Sequence, residues 1–437
     1  MANSVSVTEN NMSLCTGCMV CVDICPTKAI AASFTEDGFR VPVVHEDKCI
    51  RCGKCAKVCN IDEEKTVFSP IVVYRMAAKS NQIRMQCSSG GIFALLSKMT
   101  VEKKGVVIGA AFCSECKDIC HVTSDEVEMK ELFRSKYVQS NTIGIYKKTE
   151  SILKKGRDVL FCGTPCQVRA LNSFLKGKTY SGKLVTVDFM CHGVPSTMQF
   201  KDFIEEREKK ENSPVINVTF REKDKGWRTQ IIKTYHKNGH VWEKTSYYYY
   251  YYYMFLNNYT LRDSCYHCEE YNSHMADITL ADDWGENMND EIGTSLVFAN
   301  TARGEKEVCK IMDRTNFSNV TPITMANISI YSHSEYDYRK KQQWKTALKV
   351  GGYQKAKTSL FYKVSIVPLT KRRLREQASM IKKFVVKIMG GGKQLIFYSL
   401  VILHNPIAQR YIYSIQHDSK RSNRKKSFQQ KEVCIVV

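Results

Sequence analysis

Short apolar segments alternate with longer amphipathic segments over residues 71–313, and this alternation predicts strands and helices in turn. Runs such as VVIGAAF at 106–112 are typical of buried strands. The segment IFALLSKMTVEKKG at 92–105 has apolar residues at helical spacing and a terminal glycine, which predicts a helix. Further predicted strands are 71–79, 158–163 and 183–191, and further predicted helices are 168–177 and 198–210. Strands that alternate with helices predict an α/β domain.

Loops that contain glycine, serine or proline lie at the ends of these strands: CSSGG at 87–91, FCGTPCQ at 161–167 and CHGVPS at 191–196. Open α/β sheets usually bind ligands at such strand ends. The backbone N–H groups of glycine-rich loops can hold a pyrophosphate, although SSGG taken alone is weak evidence for one.

The chain before residue 71 follows a different pattern, in which two cysteine clusters repeat each other. Each cluster has the spacing C-x2-C-x2-C-x3-C of bacterial ferredoxins, with Pro26 after the first and Asn60 after the second. The cysteines are Cys15, Cys18, Cys21 and Cys25, and Cys49, Cys52, Cys55 and Cys59. The pattern predicts an α+β ferredoxin module at residues 1–65 that binds two 4Fe–4S clusters.

The ligands of two-cluster ferredoxins cross between the motifs. One cluster is therefore predicted to take Cys15, Cys18, Cys21 and Cys59, and the other Cys49, Cys52, Cys55 and Cys25. Gly17 and Gly53 fall inside the loops, where backbone must approach sulfur closely. Structural zinc is the alternative, but zinc ligands usually come as two separated pairs, so two runs of four cysteines favour clusters.

Composition places this module in a larger globular protein. The 437 residues, of which 43% are hydrophobic and 25% charged, predict two or three domains. The chain has 19 cysteines and its first residues do not resemble a signal peptide, so we expect a cytoplasmic protein with reduced thiols rather than a disulfide framework. The longest apolar run, LIFYSLVIL at 395–403, is about half of a membrane-spanning segment.

The net charge of +21 is concentrated at the C-terminus. Residues 371–437 hold 15 Lys and Arg against 3 acids, and the sequence predicts a basic, partly helical tail there. Such a tail is either solvated or lies on an anionic surface, such as the inner face of the membrane or a partner. A nucleic-acid-binding protein is not expected, because the charge lies away from the motifs. The run Tyr247–Tyr253 predicts a β-prone or buried aromatic segment, since base stacking would need interleaved basic residues.

Several motifs between residues 73 and 283 carry a resemblance to a known family. They are SSGGIF at 88–93, VVIGAAF at 106–112, SKYVQS at 135–140, LFCGTPCQV at 160–168, VDFMCHGVPS at 187–196, and CYHC followed by ADITLADDWG at 265–285. In this order they resemble the beta subunit of coenzyme F-420 hydrogenases and dehydrogenases. The resemblance implies an α/β flavin-binding domain at 71–345, followed by a C-terminal extension at 346–437. Members with an N-terminal ferredoxin resemble bacterial stand-alone proteins, several of which accompany polysaccharide genes.

The resemblance also implies cofactor ligands. It implies FAD contacts at Ser88, Ser89, Gly90, Gly91, Ser135, Lys136, Tyr137, Ser140, Gly163, Thr164 and Gln167. It implies a third 4Fe–4S cluster on Cys166, Cys191, Cys265 and Cys268, for which ordinary buried cysteines are the alternative. Cys113, Cys116, Cys120 and His121 lie outside the motifs, and we expect free thiols in a loop there rather than a metal site.

These features predict an iron–sulfur flavoprotein oxidoreductase. It would pass electrons between a hydride donor of the deazaflavin or nicotinamide type, a bound flavin and the clusters. Its partner would be that small-molecule donor or acceptor, or a redox protein. The alternative is an electron-transfer subunit that has no substrate of its own and feeds a partner enzyme. The chain lacks the C-x3-C-x2-C triplet, which argues against a radical-SAM enzyme.

Overall fold

The computed structural model describes residues 12–59, 61, 69–113, 116–245, 249–270, 273–284, 290–320 and 337–360. The predicted basic tail and its membrane contact lie outside the described residues. The strands are β1 (Ile30–Phe34), β2 (Arg40–Val44), β3 (Val72–Ala78), β4 (Val106–Cys113), β5 (Asp118–Thr123), β6 (Val159–Cys162), β7 (Leu184–Phe189), β8 (Val215–Glu222), β9 (Ile231–His236), β10 (Val241–Thr245), β11 (Ile278–Asp282), β12 (Ser295–Ala299) and β13 (Thr315–Asn319). The helices are α1 (Val20–Ile24), α2 (Lys54–Val58), α3 (Asn81–Met85), α4 (Ile92–Glu102), α5 (Ile145–Lys154), α6 (Pro165–Leu175), α7 (Thr197–Glu211), α8 (Tyr250–Leu256), α9 (Ala302–Cys309) and α10 (338–360). Within these ranges, no helix is long and apolar enough to cross a membrane.

The cysteine-rich N-terminus forms a ferredoxin-like module around an antiparallel hairpin of β1 and β2. Each cysteine motif leads into one short helix, α1 or α2. The backbone repeats as the sequence does: residues Gly17 and Met19 have positive φ of 66° and 56°, and the equivalent Arg51 and Gly53 have 50° and 69°. The two halves therefore share the same loop conformation, which supports the predicted internal repeat.

A large mixed sheet forms the body, with the strand order β13-β3-β12-β11-β7-β6-β4-β5. Its central strands β11, β7, β6 and β4 are parallel, and the strands on both flanks pair antiparallel. The predicted alternation of strands and helices is confirmed here as a mixed α/β fold. The predicted strands at 71–79, 106–112, 158–163 and 183–191 correspond to β3, β4, β6 and β7.

Helices cover both faces of the parallel centre, because neighbouring residues of each strand point to opposite faces. On β4, Val107 packs in one cluster with Leu95 and Leu96 of α4. Its neighbours Val106 and Ile108 pack in another cluster, which contains residues of α5 and α6. The strands are consequently apolar on both sides, which explains their unbroken hydrophobic runs.

A second, antiparallel sheet with the order β10-β9-β8 lies beside the body and was not predicted. It shares an aromatic cluster with α7, α8 and α10. The tyrosine run contributes to this cluster: its residues 249–253 are described, and Tyr251 and Tyr252 are fully buried in α8. The predicted burial is therefore correct, but the segment is a helix rather than a strand. Tyr251 and Tyr252 of α8 pack on Phe203 and Phe220.

The first cysteine loop docks on the body through its backbone carbonyls. The Tyr146 hydroxyl donates to the carbonyl of Cys18 at 2.8 Å, and the Gln139 amide donates to that of Thr16 at 2.8 Å. Arg262 donates to the carbonyl of Cys15 at 2.6 Å. Because buried carbonyls need donors, these contacts set how the module sits on the body.

Two buried charged groups reinforce this docking. The Asp23 carboxylate accepts the N–H groups of Gly144 and Tyr146 at 2.7 and 3.1 Å, at the N-terminus of α5. On the other side of the module, the fully buried Lys341 of α10 pairs with Asp37 in the β1–β2 turn. α10 runs across residue 346, where the sequence predicted the C-terminal extension to begin.

We expect Asp23→Ala to lower the free energy of unfolding by about 1–3 kcal/mol, because the substitution leaves buried N–H groups without an acceptor. Urea unfolding under anaerobic conditions, followed by tryptophan fluorescence, measures this loss. Lys57→Ala changes the equivalent exposed position of the second motif and serves as the control, with an expected effect below about 0.5 kcal/mol. Equal effects of the two substitutions would contradict the assigned role of Asp23.

Candidate cofactor site

A cavity of about 500 Å³ opens at the carboxyl edge of the parallel strands, and we call it the edge cavity. Residues at or beyond the ends of β6, β7 and β11 line it, including Gly163, Cys191 and Asp282. The strands are parallel, so their carboxyl ends meet at one edge, which is where α/β sheets usually bind ligands. Its volume is within the range of small-molecule and cofactor sites.

The edge cavity gathers the three segments that the sequence predicted to contact a flavin. Its lining includes the predicted residues Ser88, Ser89, Gly91, Ser135, Lys136, Tyr137, Ser140, Gly163, Thr164 and Gln167. Hydrogen bonds join the segments: the Ser135 N–H donates to Ser88 Oγ at 2.7 Å, and Gln167 Nε2 donates to Ser140 Oγ at 2.9 Å. The three loops are therefore held as one surface.

The loop of residues 163–167 forms the N-terminus of α6, which faces the edge cavity. Thr164 and Gln167 make a reciprocal capping box, in which the Gln167 side chain accepts the Thr164 N–H at 2.9 Å. Gln167 thus positions two loops. The capping box uses the N–H groups of Thr164 and Gln167, and Pro165 has none, so the helix dipole is what favours an anionic group here. The positive end of this dipole fits the phosphates of a flavin nucleotide.

Lys136 and Tyr137 both line the edge cavity and are held in place by different contacts. Lys136 Nζ donates to the Phe133 carbonyl at 2.7 Å, and burial lowers the pKa of its ammonium group to about 7. The Tyr137 hydroxyl accepts from Arg221 at 3.3 Å, and its ring contacts Tyr252 edge-on with centroids 4.9 Å apart. The aromatic cluster under the tyrosine run therefore supports one wall of the cavity.

The structure does not place Gly90 in the lining of the edge cavity. Its N–H donates to Ser295 Oγ at 2.9 Å, and a Cβ added there would lie 2.5 Å from the carbonyl oxygen of Met76. Gly90 is required for the close packing of the loop against β3 and β12. A role in backbone packing explains this glycine better than direct contact with a cofactor.

Several residues of the cavity wall come from elements that the motifs did not identify. Arg221, which has φ of 63° and pairs with Asp282 at 2.7 Å, lies at the end of β8. Trp227 donates from Nε1 to the Ser88 carbonyl at 2.8 Å and stacks on Trp284 at 4.5 Å. Asp282 and Trp284 lie inside the motif ADITLADDWG, whereas nothing in the sequence of β8 connected Arg221 to the SSGG loop.

The four cysteines predicted for a third cluster all line the edge cavity. Burial raises the pKa of the Cys166 thiol to about 12, and the nearby charges of Cys268 and Cys265 add to this effect. Burial also raises the pKa of Cys191, again with contributions from Cys265, Cys166 and Cys268. Four thiolates that repel one another in a buried site need positive counter-charge, and this donor set fits a 4Fe–4S cluster.

The structure also brings together the cysteines of the first predicted ferredoxin cluster. Burial raises the pKa of Cys21, and the charges of Cys18, Cys15, Cys59 and Cys55 contribute, so thiols of both motifs lie close together. The crossed ligand sets stay a prediction. Cys25 and Cys55 pack in the same apolar cluster as Cys21, while Cys52 is exposed. Thr16 of the first motif and Gln139, which donates to its carbonyl, both line the edge cavity, so the first cysteine motif and the edge cavity are neighbours.

The expectation of free thiols in a loop at residues 113–121 is wrong for two of its cysteines. Cys113 and Cys120 form a disulfide, and Cys116 is free. The cysteines lie on the paired strands β4 and β5 with Cα atoms 6.1 Å apart, so the hairpin brings their thiols together. His121 lines the edge cavity instead: its Nε2 lies 3.0 Å from the Cys162 carbonyl, and burial lowers its pKa to about 4.

Two family models match segments of this chain that contain the motifs. Residues 156–323 match the family model for the C terminus of the coenzyme F420 hydrogenase/dehydrogenase beta subunit, and residues 14–62 match that of a 4Fe–4S dicluster domain. A chain of the xenon-derivatised F420-reducing NiFe hydrogenase complex from Methanosarcina barkeri is 18% identical, with a TM-score of 0.43; the match covers 65% of this chain and 94% of that chain. No curated protein matches this chain significantly.

We expect anaerobically purified protein to contain about twelve irons, as three 4Fe–4S clusters require. Cys191→Ser should lower the count to about eight, because it removes one ligand of the site in the edge cavity only. Iron and sulfide analysis measures this, and Cys309→Ser, at an exposed cysteine of α9, is the control. A count of about eight in the unmodified protein would mean that the edge cavity binds no cluster.

Proposed function

We propose that this chain, which matches the model for the C terminus of the coenzyme F420 hydrogenase/dehydrogenase beta subunit at residues 156–323 and that of a 4Fe–4S dicluster domain at residues 14–62, is an iron–sulfur flavoprotein oxidoreductase. One observation supports this most strongly. A single cavity is lined by the predicted flavin loops and by the four cysteines of the predicted third cluster. Two cofactors that share one cavity can exchange electrons directly. A polysaccharide-biosynthesis setting stays a prediction.

In this proposal the loops hold a flavin nucleotide through backbone groups. The N-terminus of α6 would hold its phosphates, and the side chains of Tyr137 and Trp284 would flank the remainder of the cavity. Ser88 and Ser135 keep the two sides of the site together through their hydrogen bond. The apolar walls would exclude water from the reacting ring. A bound flavin would supply the exchange between a two-electron hydride donor and one-electron carriers.

The cysteines give the proposed site a route toward the ferredoxin module. Cys166 lies on the same turn as Thr164, whose hydroxyl oxygen is 3.1 Å from its sulfur. Thr16, which lies between the predicted cluster ligands Cys15 and Cys18, lines the same cavity as Cys166. The body and the module therefore meet where electrons would have to pass. Arg262, which donates to the Cys15 carbonyl and contacts its sulfur at 3.7 Å, would help to hold the two parts in register.

An electron-transfer subunit without its own substrate is the second candidate function. The family match itself favours it, since that family is described as a beta subunit and such a subunit works with others. Anaerobic purification of the isolated chain, with flavin analysis and a screen of deazaflavin and nicotinamide donors, distinguishes the two. Bound flavin with turnover supports the oxidoreductase, and full clusters without flavin or turnover support the subunit.

We expect Gly109→Leu to reduce flavin content while the clusters remain. Gly109 lines the edge cavity on β4, and a Cβ there meets Leu132 and Phe93 only at ordinary distances of 3.7 and 3.8 Å. The longer side chain would occupy space needed by the ligand and cost about 1–3 kcal/mol of binding, or roughly five- to 150-fold in affinity. Flavin fluorescence after denaturation measures the content. Gly109→Ala is the control and should retain flavin.

We expect Cys166→Ala to interrupt electron transfer between the flavin and the ferredoxin clusters. Flavin should remain bound and reducible by a hydride donor, whereas delivery to one-electron acceptors should fall at least about tenfold, as losses around metal sites commonly do. Stopped-flow spectroscopy at flavin and cluster wavelengths separates the two steps. Cys309→Ala is the matched control. Full one-electron throughput in Cys166→Ala protein would show that Cys166 is not on the route.

A further inference from the structure

The two halves of the ferredoxin module have the same backbone conformation but different surroundings. Three repeat-equivalent pairs show this, namely Gly17 with Arg51, Val20 with Lys54, and Asp23 with Lys57. In the first half these positions carry small, apolar or acidic side chains. In the second half all three carry cations, so the repeat has diverged at the positions that contact the surroundings.

The first half faces inward. Val20 is 1% exposed and packs in the same cluster as residues of α5 and α6. A Cβ on Gly17 would lie 2.6 Å from the Arg262 guanidinium and 2.7 Å from the Gln139 amide. The body therefore covers this loop, and no large partner can reach it.

The second half faces outward. Ile50 is 64% exposed, Cys52 is exposed, and the Arg51 side chain is 77% exposed. A Cβ added to Gly53 would meet no described atom within 4 Å. The body leaves this loop open, so any carrier that exchanges electrons with the second cluster by contact would approach here.

The charge of this loop selects the kind of carrier. Residues 48–58 contain Lys48, Arg51, Lys54 and Lys57 and no acid, while Glu46 and Asp47 lie just before them. Glu46 lies 3.8 Å from Arg51, and both side chains are largely exposed. An exposed apolar residue with charged neighbours resembles the centre and rim of a protein interface. A cationic rim attracts an acidic partner and accelerates its association.

We propose that Lys48, Ile50, Arg51, Cys52, Lys54 and Lys57 form an outer cluster face that docks a small acidic protein carrying a one-electron redox group. The inference rests on the proposed function, in which electrons pass between the flavin and the clusters, and it names the protein that exchanges electrons with the second ferredoxin cluster. One electron leaves the reduced member of the pair and one enters the oxidised member, so either direction balances. Docking itself needs only the surface.

Binding of a purified acidic plant-type ferredoxin to the full-length, anaerobically prepared chain tests the proposal by calorimetry. We expect affinity to fall steeply with salt, and a basic c-type cytochrome to bind at least about tenfold more weakly. Lys54→Glu combined with Lys57→Glu should weaken ferredoxin binding about tenfold or more. Lys103→Glu combined with Lys155→Glu makes the same charge change on exposed lysines at the ends of α4 and α5, and should have little effect.

Zero-length carbodiimide cross-linking gives a second readout, since it joins lysines to the carboxylates they contact. Cross-links to ferredoxin should map to Lys48, Lys54 or Lys57. Equal weakening by both double variants, or cross-links only elsewhere, would overturn the docking face. Binding at the face by a chain that contains no flavin would overturn the flavoprotein proposal and leave the face intact. Unchanged ferredoxin binding by the iron-replete double variant Lys54→Glu, Lys57→Glu would overturn the docking face and leave the flavoprotein proposal intact.

Discussion

Satisfying the backbone carbonyls of the first cysteine loop is the constraint on which the arrangement of the two parts depends. The closely spaced cysteines require a tightly curved loop. The carbonyls of Cys15, Thr16 and Cys18 therefore point outward instead of pairing in a helix or sheet. The body supplies the donors from Arg262, Tyr146 and Gln139, and Gln139 also lines the edge cavity. The same contacts therefore dock the module and bring its first cluster loop to the cofactor site.

The parallel centre of the large sheet provides the second condition. Parallel strands place their carboxyl ends at one edge, so segments far apart in the chain deliver loops to the same place. Gly163 and Cys191, at the ends of neighbouring strands, meet there although 28 positions separate them in the numbering. The antiparallel sheet then contributes to one wall of the site through Arg221 of β8, and Trp227 in the β8–β9 connection donates to the SSGG loop. A site built by one sheet is in this way completed by another.

Buried charge is tolerated in this protein where partners surround it. Lys341 is fully buried yet pairs with Asp37, and Arg169 forms a buried pair with Glu270 near the cysteines of the edge cavity. Breaking one partner of such a pair leaves an uncompensated charge, so these contacts specify one arrangement of the elements strongly. α10 contributes to the docking of the module through this effect, although its own sequence carries no cofactor motif.

The sequence alone determined the cysteine spacing, the ferredoxin-like repeat and four strands of the large sheet, β3, β4, β6 and β7, because these depend on local pattern and fixed ligand geometry. Its motifs also pointed to loops that share one cavity. Tertiary structure alone decided that Gly90 packs against Ser295, that Cys113 meets Cys120 and that Arg221 reaches the cavity wall. These outcomes depend on which strands pair, and pairing joins residues far apart in the chain. Local pattern carries no information about those distances.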